Sequence, residues 1–109
     1  LISGDVIDVD LGLRQVMRQD ARPVVVVTAQ AILQREPNVI QVVPLTSTLR
    51  EFGSEVRISG EGSGLDRDSN AQCQHIRSVA GSSVLRRRGN VGSVDLARIR
   101  ELAALLIDI

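Results

Sequence analysis

The chain has 109 residues, 43% of them hydrophobic, with thirteen cationic side chains balanced by thirteen acidic ones; that suits a single domain with a packed core and excludes gross disorder. One cysteine excludes an internal disulfide and a cysteine-built zinc cage, and one histidine removes any chemistry that needs a His pair. No apolar run approaches the ~20 residues of a membrane span and no secretory-signal pattern is visible, so the expectation is a soluble, cytoplasmic protein.

The stretch "GDVIDVDL" (4–11) alternates loosely and reads as a strand with one wet face. Its Asp5, Asp8 and Asp10 make the first twelve residues locally acidic. Residues 12–21 mix charges with little apolar periodicity and predict a loop. "RPVVVVT" (22–28) is a continuous β-branched run, the pattern of a strand buried on both faces, with Pro23 at its start because proline cannot donate to a central ladder. "AQAILQRE" (29–36) predicts a short helix stopped by Pro37. "NVIQVVPLTST" (38–48) is a second buried strand in which Pro44 calls for an edge or a bulge. In "SEVRIS" (54–59), Val56 and Ile58 face one way and Glu55 and Arg57 the other.

"GEGSG" (60–64) is a turn, and residues 65–79 begin as a bend and become a strand by Ala71. Residues 80–92 form a Ser/Gly/Arg connection with a short strand around Val84–Arg88. From Ser69 to Val94 there is no acid, while Arg77, Arg86, Arg87 and Arg88 give a basic segment. Such a patch can meet a polyanion even when total charge is zero, although a solvated loop explains a charge run equally well. Residues 93–109 form an amphipathic helix, with Ser93 as N-cap, Asp95 in the first turn and a stripe of Leu96, Ile99, Leu102, Ala103 and Leu106. Strands first and a helix last predict an α+β fold, a small curled sheet or barrel with the helix packed on it.

All thirteen cations are arginines, and Phe52 is the only aromatic residue. Arginine suits planar, bidentate contact with phosphate. The lack of aromatics nearly excludes base stacking as a mode of nucleic-acid binding. No phosphate loop, dinucleotide fingerprint, zinc-protease helix or nucleophile elbow is present.

What stands out is an ordered set of short motifs: "GDV" (4–6), "RPVVVV" (22–27), "PNVIQVVPLTSTLR" (37–50), "SEV" (54–56), "GLDRDS" (64–69) and "HIRSV" (75–79), followed by the apolar helix. The series resembles the MazF/PemK family of toxin endoribonucleases from bacterial toxin–antitoxin pairs, over about 105 residues. The resemblance implies a single toxin domain over residues 1–109. The implied fold is an SH3-like small β-barrel (PemK/CcdB-like) with a C-terminal helix and a short helix between strands. It also implies a homodimer, cleavage of single-stranded RNA without metal or cofactor, and a MazE-like antitoxin that blocks the RNA groove. The family's catalytic Arg precedes the Pro of "RP", here Arg22; its catalytic Thr follows "PL", here Thr46. Two departures stand out. The loop that carries a "GSEQ"-like stretch in the family reads "LRQVMRQDA" (13–21), and His75 replaces the usual Gln before "IR".

Those residue types suit the implied chemistry. RNA carries its own nucleophile, the 2′-OH, whose attack on the adjacent phosphorus leaves a 2′,3′-cyclic phosphate and a 5′-OH. A fixed Arg22 can hold the charge that develops, and Thr46 can donate its hydroxyl and keep the phosphate in line. The candidate RNA contacts are Ser47, Arg50, Ser69, His75, Arg77, Arg86 and Arg87. Ser69 suits closure of the "DRDS" bend as well as substrate contact, Arg77 an internal ion pair as well as a phosphate, and His75 a structural role as well as RNA. Arg50 and Arg86–Arg88 would set affinity rather than sequence. Cys73 reads as a small core residue. Two other functions share the resemblance: a gyrase-poisoning toxin of the same fold, against which the Trp-free "LIDI" end counts, and an inactive, antitoxin-binding regulatory member, suggested by the 13–21 loop.

Overall fold

The computed structural model describes residues 1–10 and 21–108. Among them run strands β1 (Asp5–Asp10), β2 (Ala21–Val26), β3 (Val39–Thr46), β4 (Glu55–Ile58), β5 (Ser69–Gln72), β6 (Arg77–Ala80) and β7 (Val84–Asn90). Helix α1 (Gln30–Leu33) lies between β2 and β3, and helix α2 (Ser93–Leu106) ends the fold. The expected loop over 12–21 lies outside the described residues, except that Ala21 opens β2.

The strands make one antiparallel sheet in the order β4-β5-β3-β2-β1-β7, with β6 also paired to β3. Its two ends meet without a ladder. The loop after β4 crosses β7, where the Asn90 N–H donates to the Gly62 carbonyl at 3.3 Å. Glycine makes that crossing possible: a Cβ on Gly89 would stand 2.5 Å from the Ser63 carbonyl carbon, and one on Gly64 would collide with the Arg88 carbonyl. The sheet is not closed by a ladder, and this contact of loop backbone with strand backbone completes the curled, barrel-like form expected from the sequence.

The run of valines in β2 explains why the sheet has a core on each face. Val25 joins Val6, Val43, Leu45, Val56, Ile58, Cys73 and Ile99 on one side. Val24 and Val26 join Ile7, Val9, Leu33, Ile40, Val42 and Val79 on the other. Period-two alternation sends successive side chains to opposite faces, so an unbroken apolar run must be covered twice. Helix α2 covers the first face with Ile99, Leu102 and Ala103, and Arg100 ties it down by donating to the carbonyls of Val27 and Thr28 at 3.0 and 3.1 Å.

Four local expectations differ from the structure. Strand β1 has no wet face before its last residue, Asp10: Asp5 and Asp8 are buried, because arginines of β7 lie over them. Gly92, not Ser93, is the N-cap of α2; it sits at φ 89°, and its own N–H is held by Asn90 Oδ1 at 2.7 Å. Ser93 is therefore the first helical residue. The helix stops at Leu106 rather than running to 109. The strand expected to run on from Ala71 is interrupted by a 3₁₀ turn at Cys73–His75, so His75 stands on that turn. No helix among the described residues is long and apolar enough to cross a membrane.

Candidate active site

Two prolines open the site. The β2–β3 ladder pairs Val26 with Val42, Val25 with Val43 and Val24 with Pro44, and stops there. Pro23 follows on one strand and Pro44 ends the pairing on the other. Neither has an N–H to extend a ladder. Pro44 also falls between the part of β3 paired with β6 (39–42) and the part paired with β5 (45–46), where no ladder bond is forfeited on that edge. Beyond the last pair, Arg22 and Thr46 flank the gap, each two residues further along its strand.

The gap is a cleft of about 660 Å³. Arg22 and Pro23 line one side, and Pro44, Leu45, Thr46 and Ser47 the other. Leu65, Asp66 and Arg67 close it from the loop before β5, with Ser69 and Gln72 of β5 and Arg88 of β7 completing the wall. Among the described residues that line it, three guanidinium groups against the carboxylate of Asp66 make it a cationic cleft, suited to an anion rather than an apolar ligand.

Each functional side chain has a definable setting. Arg22 is solvent-exposed and its backbone is held opposite Val9 in the β1–β2 pairing. Thr46 is half-buried, and its strand is fixed on the far edge by pairing with Asn70. The Thr46 Oγ1 accepts the Thr48 N–H at 3.2 Å, which leaves its hydroxyl proton for an acceptor in the cleft. Ser69 is buried and donates to the Arg67 carbonyl at 3.3 Å, so it closes the bend and borders the cleft at once. In the same bend Asp68 accepts the Gly60 N–H at 2.9 Å, the turn chemistry that acids serve.

A buried carboxylate holds the segment that leaves Thr46. The Glu55 side chain is wholly inaccessible. It accepts from Arg50 Nη2 at 2.7 Å, Gln74 Nε2 at 2.8 Å and Asn70 Nδ2 at 3.1 Å. Asn70 Nδ2 also reaches the Arg50 carbonyl at 2.9 Å, so both ends of residues 50–55 are pinned to β5. The hydrogen bond from Arg50 brings the Glu55 carboxyl down to about 2; burial opposes this, and Gln74, Asn70 and the Arg50 charge reinforce it. Arg50 stacks over Phe52 at 4.4 Å.

Of the residues singled out from the sequence, Arg22, Thr46, Ser47, Ser69 and, from the Arg86–Arg88 run, Arg88 come together in this cleft. Arg50, His75, Arg77, Arg86 and Arg87 do not line it. Arg50 pairs with Glu55. Arg86 Nε meets Asp8 at 2.8 Å and Arg87 Nε meets Asp5 at 3.0 Å. His75 and Arg77 are exposed, on the 3₁₀ turn and on β6. Arg67, in the "DRDS" bend, is a cleft cation that the sequence does not single out, and nothing local sets Arg88 apart from its two arginine neighbours.

The site and sheet together define a small curled β-fold with a helix on one face and an arginine–hydroxyl anion site at a broken ladder. Residues 2–109 match the family of PemK-like, MazF-like toxins of type II toxin–antitoxin systems. The chain is 36% identical over 112 aligned positions to the endoribonuclease MazF9 of Mycobacterium tuberculosis, spanning 97% of this chain and 95% of that protein. Among solved structures, the M. tuberculosis toxin MazF-mt6 superposes with a TM-score of 0.79 at 20% identity, covering 96% of this chain and 97% of that one. A MazE–MazF complex from Deinococcus radiodurans gives 0.80 at 17% identity, covering 100% and 97%. The chain belongs to the MazF/PemK family of toxin endoribonucleases of type II toxin–antitoxin systems.

Proposed function

We propose that this chain is a single-domain toxin that cleaves single-stranded RNA in the cleft at the end of the β2–β3 ladder. The observation that carries the reading is the meeting of Arg22 and Thr46 across the gap left by Pro23 and Pro44. The substrate supplies both reacting groups. Its 2′-oxygen forms a bond to the adjacent phosphorus, the bond from phosphorus to the 5′-oxygen breaks, and a 2′,3′-cyclic phosphate and a 5′-OH result. The proton released from the 2′-OH balances the one gained by the leaving oxygen. Arg22 places its guanidinium on the non-bridging oxygens, where negative charge grows in the transition state. Thr46 donates its free hydroxyl proton to the same phosphate and fixes its orientation. Ser47 and Ser69 supply further hydroxyls along the wall, and no step calls for a metal.

The protein works in the cytoplasm, as a homodimer, and is silenced by a MazE-like antitoxin that presents acidic and apolar side chains to the basic cleft. The dimer reading is supported by apolar side chains left in water around the end of α2, among them Ile32, Ile76, Leu105 and Ile107. A solution mass of one chain at micromolar concentration would contradict it.

The test is incubation of a long single-stranded RNA with purified protein in EDTA, followed by sequencing of the new ends. Discrete cuts with 5′-OH ends are expected. Intact RNA in the presence of folded protein would overturn the proposal.

A further inference from the structure

We infer that Arg88 is a second, pre-positioned phosphate anchor of the cleft, which grips a phosphodiester next to the one held by Arg22 and Thr46 and so sets how tightly RNA binds. This rests on the RNA-cleaving reading of the cleft. Of the three consecutive arginines of β7, Arg88 alone lines the cleft. The reason is a break in register: β1 pairs Val6 with Gly89 but Ile7 with Arg87, so Arg88 is the extra residue of a bulge. A bulge re-aims the side chain it carries. The backbone there is pinned from across the crossing loop, because Gly64 and Gly89 leave no room for it to shift.

The side chain is held as firmly. Arg88 Nε donates to Asp8 Oδ1 at 2.9 Å and Nη1 to the Gly64 carbonyl at 3.2 Å. Its side chain is 20% exposed, against 65% for Arg86 and 54% for Arg87. Two of its nitrogens are thus spent on orientation, while Nη2 has no partner among the described residues. The charge is not cancelled either. Asp8 is shared between Arg86 and Arg88, so two cations face one carboxylate and a net positive charge remains at this corner. A guanidinium oriented through Nε and Nη1, with Nη2 left to donate, is the form of a pre-organised phosphate contact.

The experiment is the kinetics of cleavage of a short single-stranded RNA, cut out around a mapped cleavage site, between about 50 and 200 mM salt. Arg88→Gln should raise KM roughly tenfold, the effect of removing one charge-assisted hydrogen bond to phosphate. It should also flatten the dependence of log(1/KM) on log[salt] by about 0.7, the share of one phosphate on a single strand. Arg35→Gln, which removes the same charge from an exposed position after α1, should change neither. If Arg88→Gln fails to fold, Arg88→Lys decides: it should keep the salt slope and still raise KM several-fold, since an ammonium cannot hold Asp8, Gly64 and a phosphate together. A folded variant with wild-type KM and slope overturns the anchor and leaves a structural ion pair. A wild-type protein that cuts no RNA overturns the functional reading itself, an outcome distinct from that one.

Discussion

A carboxylate that looks like a solvent-facing strand residue is buried and held by four side chains. Glu55 is legible in the sequence as lying opposite Val56 and Ile58, but not as buried, because the groups that cover it come from two other stretches of the chain: Arg50 before it, and Asn70, Gln72 and Gln74 of β5 and the turn that follows. Its carboxyl lies at about 2 in the folded protein against an ordinary 4.5. A depressed folded value means that the contribution to stability is complete above about 4.5 and is lost as pH falls through about 2. Asp5 and Asp8 shift the same way; burial works against them, and hydrogen bonds that include those from Arg87 to Asp5 and from Arg86 and Arg88 to Asp8 prevail. The urea midpoint should therefore be flat above about pH 5 and fall steeply between 4.5 and about 2. Glu55→Gln should lower stability at pH 7 by about 1–3 kcal/mol and make the acid limb shallower. An unchanged acid limb in that variant would remove Glu55 from the account.

At this scale a residue's role is legible where it follows from its own strand and hidden where it depends on a partner strand. Arg22 and Thr46 are read instead from the resemblance of "RP" and "PLT" to the family's motifs, and the structure adds that both line one cleft. Arg88 is of the hidden kind: period-two reasoning gives Arg86 and Arg88 one facing, and only the bulge opposite Val6 and Ile7 separates their surroundings. Arg50 reads as a phosphate contact because nothing local announces that Glu55 will claim it.

Among the elements, the two-faced burial of β2 is legible from its valines, and α2 from the spacing of Leu96 and Ile99. The 3₁₀ turn at Cys73–His75 is not, since it exists to let the chain pass from β5, paired at residues 45–46 of β3, to β6, paired at residues 39–42. The crossing of the 60–65 loop over β7 makes a sharp prediction. Gly64 sits at φ +79° and its missing Cβ is where the Arg88 carbonyl lies. Gly64→Ala should cost about 1–3 kcal/mol from overlap and strain together. Gly53→Ala should cost far less, since a Cβ there meets nothing within 4 Å. Urea midpoints of the two variants, compared with the parent, check this. Equal midpoints would mean that the barrel-like closure is looser than its geometry indicates.

For the whole molecule, zero net charge conceals a division of labour. The acids Asp5, Asp8 and Glu55 are buried and paired, while Arg22 and Arg67 stand exposed at the cleft and Arg88 is held there by Asp8. A neutral protein thereby offers a cationic face to a polyanion, and the ion pairs that stabilise the fold also orient part of that face. The central claim is that Arg22 and Thr46 act together on one phosphate at the broken ladder. Its most direct measurement is the rate of cleavage of a single-stranded RNA in EDTA by the parent, Arg22→Ala and Thr46→Ala, with each variant's fold checked by circular dichroism. Removal of a positioned donor of this kind costs about 3–4 kcal/mol, so each folded variant should cut roughly a hundredfold or more slowly than the parent. Folded variants that cleave at near the parental rate would place the reaction elsewhere in the molecule.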